Sequence, residues 1–206
     1  MYSICMDWQS QTIKTYDDSA NELAEYFKGI GARVDDIELG LKLADIGSNA
    51  QVVEIGCGDR RDAVEIVKRV GKYEGFDPSE GLLKIAHKRL PNVSFVKADA
   101  LSYVYPKKLD VVYAFASLLH VNLEDLKKVF EKVSQSLRPG GVFFISLKER
   151  TDYVEEVKED EYGKRIFYYY NPAIIKEVAG TSFTSIYEDH QKIGKTDWFT
   201  IVLKKD

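Results

Sequence analysis

The stretch that most constrains this chain is Val52-Val53-Glu54-Ile55-Gly56-Cys57-Gly58, a short apolar run of strand character that stops on glycines and leads into Asp59-Arg60-Arg61-Asp62-Ala63. Glycine tolerates positive φ and lets backbone approach a ligand closely, and a helix that starts beside it turns free N–H groups toward an anion. The expectation is a strand, a small-ligand loop and a helix over 61–70. From there apolar runs alternate with helical periodicity. Strands are predicted at 51–55, 72–76, 93–96, 109–115 and 142–147, with further helices at 79–89 and 123–137. Crossovers of this length join parallel neighbours, so the fold class is α/β with a doubly wound sheet.

The flanks read differently. Residues 12–46 carry Leu23, Tyr26 and Phe27 at helical spacing and a break at Gly29 and Gly31, which predicts two helices. Beyond the fifth strand, 151–164 is rich in acids and reads as an exposed loop or lid that would disfavour anionic acceptors. An aromatic strand at 165–170 follows. Asn171 and Pro172 then suit the start of a helix that Gly180 ends, and 183–189 and 198–203 read as the last strands. No linker divides the chain, so one domain is expected: a helical cap at 1–46, a core at 51–147 and a lid, helix and strand pair at 151–206.

Acids sharpen the loop's meaning. Asp77 closes the second strand in Gly75-Phe76-Asp77-Pro78, where a carboxylate can accept both hydroxyls of a ribose, and Asp99 closes the third. Successive strands thus end in polar groups on one edge of the sheet, the edge at which open α/β folds bind ligands. Composition excludes other functions. A net charge of −4 over 206 residues gives no phosphate-binding footprint, so no nucleic acid is expected. Cys5 and Cys57 with three histidines make neither a disulfide framework nor a metal cluster. No leader or membrane-spanning run is read, and a cytoplasmic protein, monomer or homodimer, is expected.

Taken together these motifs resemble the class I S-adenosylmethionine-dependent methyltransferases, in particular bacterial small-molecule types. Glu54-Ile-Gly56-Cys-Gly58 resembles the family's glycine motif, Gly75-Phe-Asp77-Pro-Ser79 its ribose motif and Ala98-Asp99-Ala100 its adenine motif. Asp110 to Val121 and Leu137-Arg-Pro-Gly-Gly resemble the family's fourth-strand segment and the run into its fifth strand. Thr15-Tyr16-Asp17 and Trp198 resemble its N-terminal helix and last strand. The resemblance implies a seven-stranded Rossmann-like sheet, mostly parallel with an antiparallel last strand, whose N-terminal helices cap the cofactor site. It also implies S-adenosyl-L-methionine as methyl donor, S-adenosyl-L-homocysteine as product and a small-molecule acceptor.

Roles follow from that. Gly56, Cys57 and Gly58, with the carbonyl of Ala114, suit the methionine arm, and Glu54 supports the loop. Asp77 is implied at the ribose and Asp99 at the adenine, between walls from Phe76, Pro78, Ala98, Ala100 and Leu101. Arg61 either pairs with the methionine carboxylate, for which Arg33 is a rival, or with Asp62 or Glu65 on its own helix. His120 either takes a proton from the acceptor or lines the pocket, and Tyr16 either closes over the cofactor or packs. One departure stands out: Arg60 occupies the family's third glycine and would be strained if φ there is positive. Two other readings remain, a binding module that has lost turnover and an NAD-type oxidoreductase.

Overall fold

The computed structural model describes residues 7–206, so Cys5 lies outside the described residues. Three helices come first, α1 (Trp8–Asp18), α2 (Ala20–Ile30) and α3 (Val34–Leu43), where the sequence predicted two. The extra break is at Ser19, whose φ of −108° and ψ of 23° leave helical geometry and kink the chain between α1 and α2. The alternating unit follows: β1 (Gln51–Ile55), α4 (Ala63–Ile66), β2 (Lys72–Asp77), α5 (Glu80–Arg89), β3 (Ser94–Lys97), β4 (Leu109–Phe115), α6 (Leu123–Ser136) and β5 (Leu137–Lys148). Then come β6 (Val154–Asp160), β7 (Gly163–Tyr169), α7 (Pro172–Ala179), β8 (Phe183–Ile193) and β9 (Thr196–Lys205).

Seven strands join in the order β3-β2-β1-β4-β5-β9-β8. The first five are parallel and β9 runs antiparallel to both β5 and β8. A dinucleotide-binding sheet continues parallel past its fifth strand, so the antiparallel β9 separates this topology from the oxidoreductase alternative. Burial on both faces explains the apolar run Val111 to Phe115 of β4. Its Val111, Tyr113 and Phe115 pack with Ile37 of α3 and Ile66 of α4, while Val112 and Ala114 pack with Leu126, Val129, Phe130 and Val133 of α6. Those α6 residues recur at helical spacing, and Asn122 caps the helix by accepting the Asp125 N–H at 2.9 Å.

Two predicted elements change. The helix over 61–70 contracts to the single turn α4, because the N–H groups of Gly71 and Lys72 bond to the Ala50 carbonyl and force the chain into β2. The acid-rich loop at 151–164 is instead strand β6, paired antiparallel with β7 from Val154–Tyr169 to Asp160–Gly163. Its acids sit on an exposed edge strand, where charge blocks unwanted pairing, so the composition read as a loop. A bridge between Glu149 and Tyr170 ties this hairpin to the end of β5. Among the described residues no helix is long and apolar enough to cross a membrane.

The loop after β1 leaves no room on β2. A Cβ on Gly75 would lie 2.5 Å from the Tyr73 hydroxyl and 2.8 Å from the Cys57 Cβ. Gly75→Ala is therefore expected to destabilise the fold by about 1–3 kcal/mol through overpacking, measured by urea denaturation; unchanged stability would mean that the loop yields freely.

Candidate functional site

The site is built at the carboxyl ends of β1, β2 and β4. After β1 the chain reverses through Gly56 and Gly58, with φ of 71° and 55°. The Gly56 and Cys57 N–H groups both donate to the Phe76 carbonyl, at 2.8 and 3.0 Å, which lashes the loop to β2. Asp77 completes the attachment: one carboxylate oxygen accepts the Gly58 N–H at 2.9 Å and the other the Ser79 N–H at 2.8 Å. Burial pushes Asp77 up to about 6. Each of its oxygens keeps a second lone pair, so the carboxylate can brace the loop and still accept ligand hydroxyls.

The segment beyond β4 closes the other side. Ala116, at a φ of 54°, bends the chain, and a Cβ on Gly56 would lie 2.3 Å from the Ser117 Cβ. Glycine at 56 is thus required by both φ and space. The buried Ser117 hydroxyl has no hydrogen-bond partner. Ala114 lies inside β4, with its side chain buried in the core.

Carboxylates and guanidinium groups hold the loop from behind. Asp62 accepts from the Arg33 N–H at 2.8 Å, from Arg33 Nη1 at 3.1 Å and from Arg61 Nη2 at 2.5 Å. Arg61 therefore pairs with Asp62, in the turn before α4, and its rival Arg33 is held by the same carboxylate. Burial raises Asp62 to about 6 against the pull of Arg61. Asp59 pairs with Arg89 of α5 at 2.5 Å. Glu54 is buried and accepts the Tyr73 hydroxyl at 2.5 Å; burial and then the Asp62 charge push it well above the usual carboxylate range. Its part is to support the loop internally.

Other predicted residues separate into walls and fillers. The Phe76 ring stacks on Tyr103, centroids 4.0 Å apart, inside the core, so Phe76 offers the loop its carbonyl and no wall. Cys57 likewise turns its thiol inward among Ala63, Leu83, Ala86 and Phe95, where burial pushes it well up. Pro78, Ala98 and Leu101 are half-buried at the edge, and Ala100 is buried beside them. Asp99 is exposed and closes a turn by accepting the Leu101 and Ser102 N–H groups at 2.7 and 2.8 Å.

Helix α1 lies across this edge. Asp17 accepts Ser79 Oγ at 2.7 Å and the Gly81 N–H at 2.8 Å, latching α1 to the start of α5. The sequence named Asp17 within the Thr15-Tyr16-Asp17 segment and gave it no role of its own. Tyr16 itself meets His120, with Oη and Nε2 2.9 Å apart, while His120 Nδ1 lies 2.5 Å from the Ile166 carbonyl. A carbonyl only accepts, so Nδ1 carries the proton and Nε2 accepts from Tyr16. The Tyr16 oxygen accepts in turn from Arg165 Nη1 at 3.4 Å, and Arg165 is ion-paired with Asp160. Burial lowers His120 to about 3, which keeps it neutral at physiological pH with its free lone pair engaged. That arrangement suits a pocket wall that orients α1; a base role would require Tyr16 to withdraw.

Arg60 has a φ of 90°, the strained value its side chain disfavours, and its buried Nε has no partner. Such strain persists only where neighbours over-determine the backbone, as Asp59 and Asp62 do here. Arg60→Gly is expected to stabilise the fold by about 1 kcal/mol, read by urea denaturation; a loss of stability would show that the guanidinium contributes more than the backbone costs.

Residues 52–141 match the family model described as a methyltransferase domain. Trans-aconitate 2-methyltransferase of Acidovorax sp. strain JS42 is 32% identical over 103 residues, 49% of this chain and 39% of that protein. Phosphoethanolamine N-methyltransferase of Plasmodium falciparum is 27% identical over 121 residues, 56% of this chain and 44% of that protein. The matches span less than half the length of these curated relatives. A SAM-dependent methyltransferase of Leishmania major has a TM-score of 0.73 at 13% identity, covering 96% of this chain and 83% of that one. DhpI, solved as a complex with SAH, has a TM-score of 0.70 at 18% identity over 94% and 96% of the two chains. These structural likenesses establish the Rossmann-like fold.

Proposed function

We propose that the chain is a class I S-adenosylmethionine-dependent methyltransferase that transfers a methyl group from S-adenosylmethionine to a small-molecule acceptor, a reading supported by the match of residues 52–141 to a methyltransferase domain and by the relatives above. The observation that carries this reading is the loop Gly56-Cys57-Gly58 held by Asp77, a buried carboxylate with lone pairs to spare at the end of β2. The chain's own residues fit the cofactor. The positive-φ glycines let backbone come close, the unpartnered Ser117 hydroxyl lies against Gly56, and Asp99 stands at the end of β3. Asp77 would hold the ribose hydroxyls, backbone at 56–58 the methionine arm, and Pro78, Ala98 and Leu101 the adenosine.

S-adenosylmethionine, when bound, supplies an electrophilic methyl group on a sulfonium. The protein's contribution is then to align the acceptor and exclude water. Helix α1, fastened by Asp17 and Tyr16, and the β6–β7 hairpin form the cover for that purpose. Neutral His120 with Tyr16 would line the acceptor side as a positioning pair. The small-molecule acceptor is supported by relatives named for trans-aconitate and phosphoethanolamine and by the net charge of −4, which favours no nucleic-acid partner. On this reading the described chain acts as one domain in the cytoplasm, as a monomer or homodimer. The strained Arg60 beside the loop favours one second reading, a module that binds the cofactor without turnover.

Calorimetric titration tests both. S-adenosylmethionine and S-adenosylhomocysteine are expected to bind in the micromolar range and NAD not at all. Asp77→Ala should weaken the sulfur ligands at least thirtyfold, about 2 kcal/mol. Absence of binding to the wild-type chain would reject the proposal, and binding without methyl transfer to any acceptor would select the second reading.

The same carboxylate sets a pH dependence. Asp77 is raised to about 6, so lowering the pH through that value protonates it and removes a charged acceptor for ribose hydroxyls. S-adenosylhomocysteine affinity should therefore rise with pH up to about 6 and then level, and Asp77→Asn should flatten the curve. A pH-independent affinity in the wild-type chain would remove Asp77 from the ribose site.

A further inference from the structure

We propose that Lys148 and Arg165 recognise an anionic group, a carboxylate or phosphate, carried by the methyl acceptor. This rests on the methyltransferase reading above and specifies its substrate class. Lys148 ends β5 and is half-buried, with Nζ 4.1 Å from the centre of the Phe167 ring and 5.8 Å from that of Trp198. Among the described residues no carboxylate lies within ion-pairing distance of it. Arg165 is buried on β7 with its Cζ 5.5 Å from the same Phe167 centre, and its Nε has no hydrogen-bond partner. The His120 ring lies 4.8 Å from Phe167, so both cations border the pocket wall already described.

The surroundings add to the imbalance. Arg150 and Lys158 lie over the Tyr169 ring at 4.8 and 5.2 Å. Among the described residues, Glu156 and Asp160 are the carboxylates paired with these cations: Glu156 with Lys158 at 3.3 Å and Arg150 at 3.8 Å, Asp160 with Arg165. Strand alternation explains why an acid-rich segment leaves a cationic interior. Glu155 and Glu159 point to solvent on the opposite face of β6 from the half-buried Glu156 and Lys158. The expectation that this segment disfavours anions is reversed by its folding into a strand. Burial, with Lys158 and Arg165 nearby, lowers Lys148 to about 8, yet it stays mostly protonated at neutral pH. Aromatic faces compensate an ammonium group only in part. A ligand anion would supply the missing counter-charge and could accept from Arg165 Nε.

The test uses the full chain labelled with ¹³C at the lysine ε-carbon, with and without S-adenosylhomocysteine. The Lys148 signal is assigned from Lys148→Gln. Citrate, inorganic phosphate and choline are titrated at ionic strength held constant with chloride. A saturable shift of the Lys148 signal with citrate, phosphate or both is expected, and the more effective anion identifies carboxylate or phosphate as the recognised group. Arg165→Gln should weaken that response at least tenfold, and Lys148→Gln should retain wild-type stability and cofactor affinity. No response beyond the chloride control, or a response to choline alone, would overturn the proposal. Calorimetric binding of S-adenosylhomocysteine to the same samples separates the two readings: cofactor binding without an anion response rejects only the anion site, whereas no cofactor binding rejects the methyltransferase reading.

Discussion

The carboxylate of Asp77 is the joint on which the ligand edge depends. It reaches back to the Gly58 N–H in the loop after β1 and forward to the Ser79 N–H at the start of α5, so one buried group fixes two neighbouring crossovers. Ser79 in turn caps α5 through its hydroxyl and gives that hydroxyl to Asp17 of α1. A chain of short polar contacts therefore runs from the sheet to the covering helix. Without Asp77, the loop would retain its backbone bonds to Phe76 and lose the anchor that orients Gly58.

Burying so many acids beside one loop carries an electrostatic cost, and the structure divides it. Asp59 and Asp62 are balanced by Arg89, Arg33 and Arg61, whereas Glu54 is kept by the Tyr73 hydroxyl and by its own preference for the neutral form. A buried charge persists only when paired or hydrogen-bonded. The guanidinium groups of Arg33, Arg61 and Arg89 beside the glycine loop thus serve the loop's framework. The strain at Arg60 belongs to the same framework, since its neighbours on both sides are tied down.

The cover is held by a second set of contacts, largely independent of the first. Tyr16, His120 and Arg165 come from α1, the turn after β4 and strand β7, and no two are near in sequence. Thr12 and Thr15 of α1 add hydrogen bonds to the backbone of β7 at 3.0 and 2.7 Å. The hairpin and the first helix are therefore joined into one unit, which on the proposed reading covers the acceptor side. Its inner face is aromatic and cationic, and its outer face is acidic.

The sequence by itself determined the order of strands and helices in the core, because apolar runs, glycine stops and caps act through local propensity and burial period. The glycine loop at 56–58 and the acid at 77 were legible for the same reason: each follows a strand directly, and strand ends share one edge. Tertiary structure alone decided which way the side chains turn. Cys57 and Phe76 sit among the loop and strand-end residues yet point into the core, Cys57 because the turn after β1 directs its Cβ inward and Phe76 because its place in β2 puts its side chain on the core face. It also decided that Arg61 and Arg33 converge on Asp62, that Tyr16 meets His120 across 104 positions, and that the acid-rich segment is a strand. These outcomes depend on charge pairing and strand pairing between distant segments, and no local pattern of residues encodes the partner.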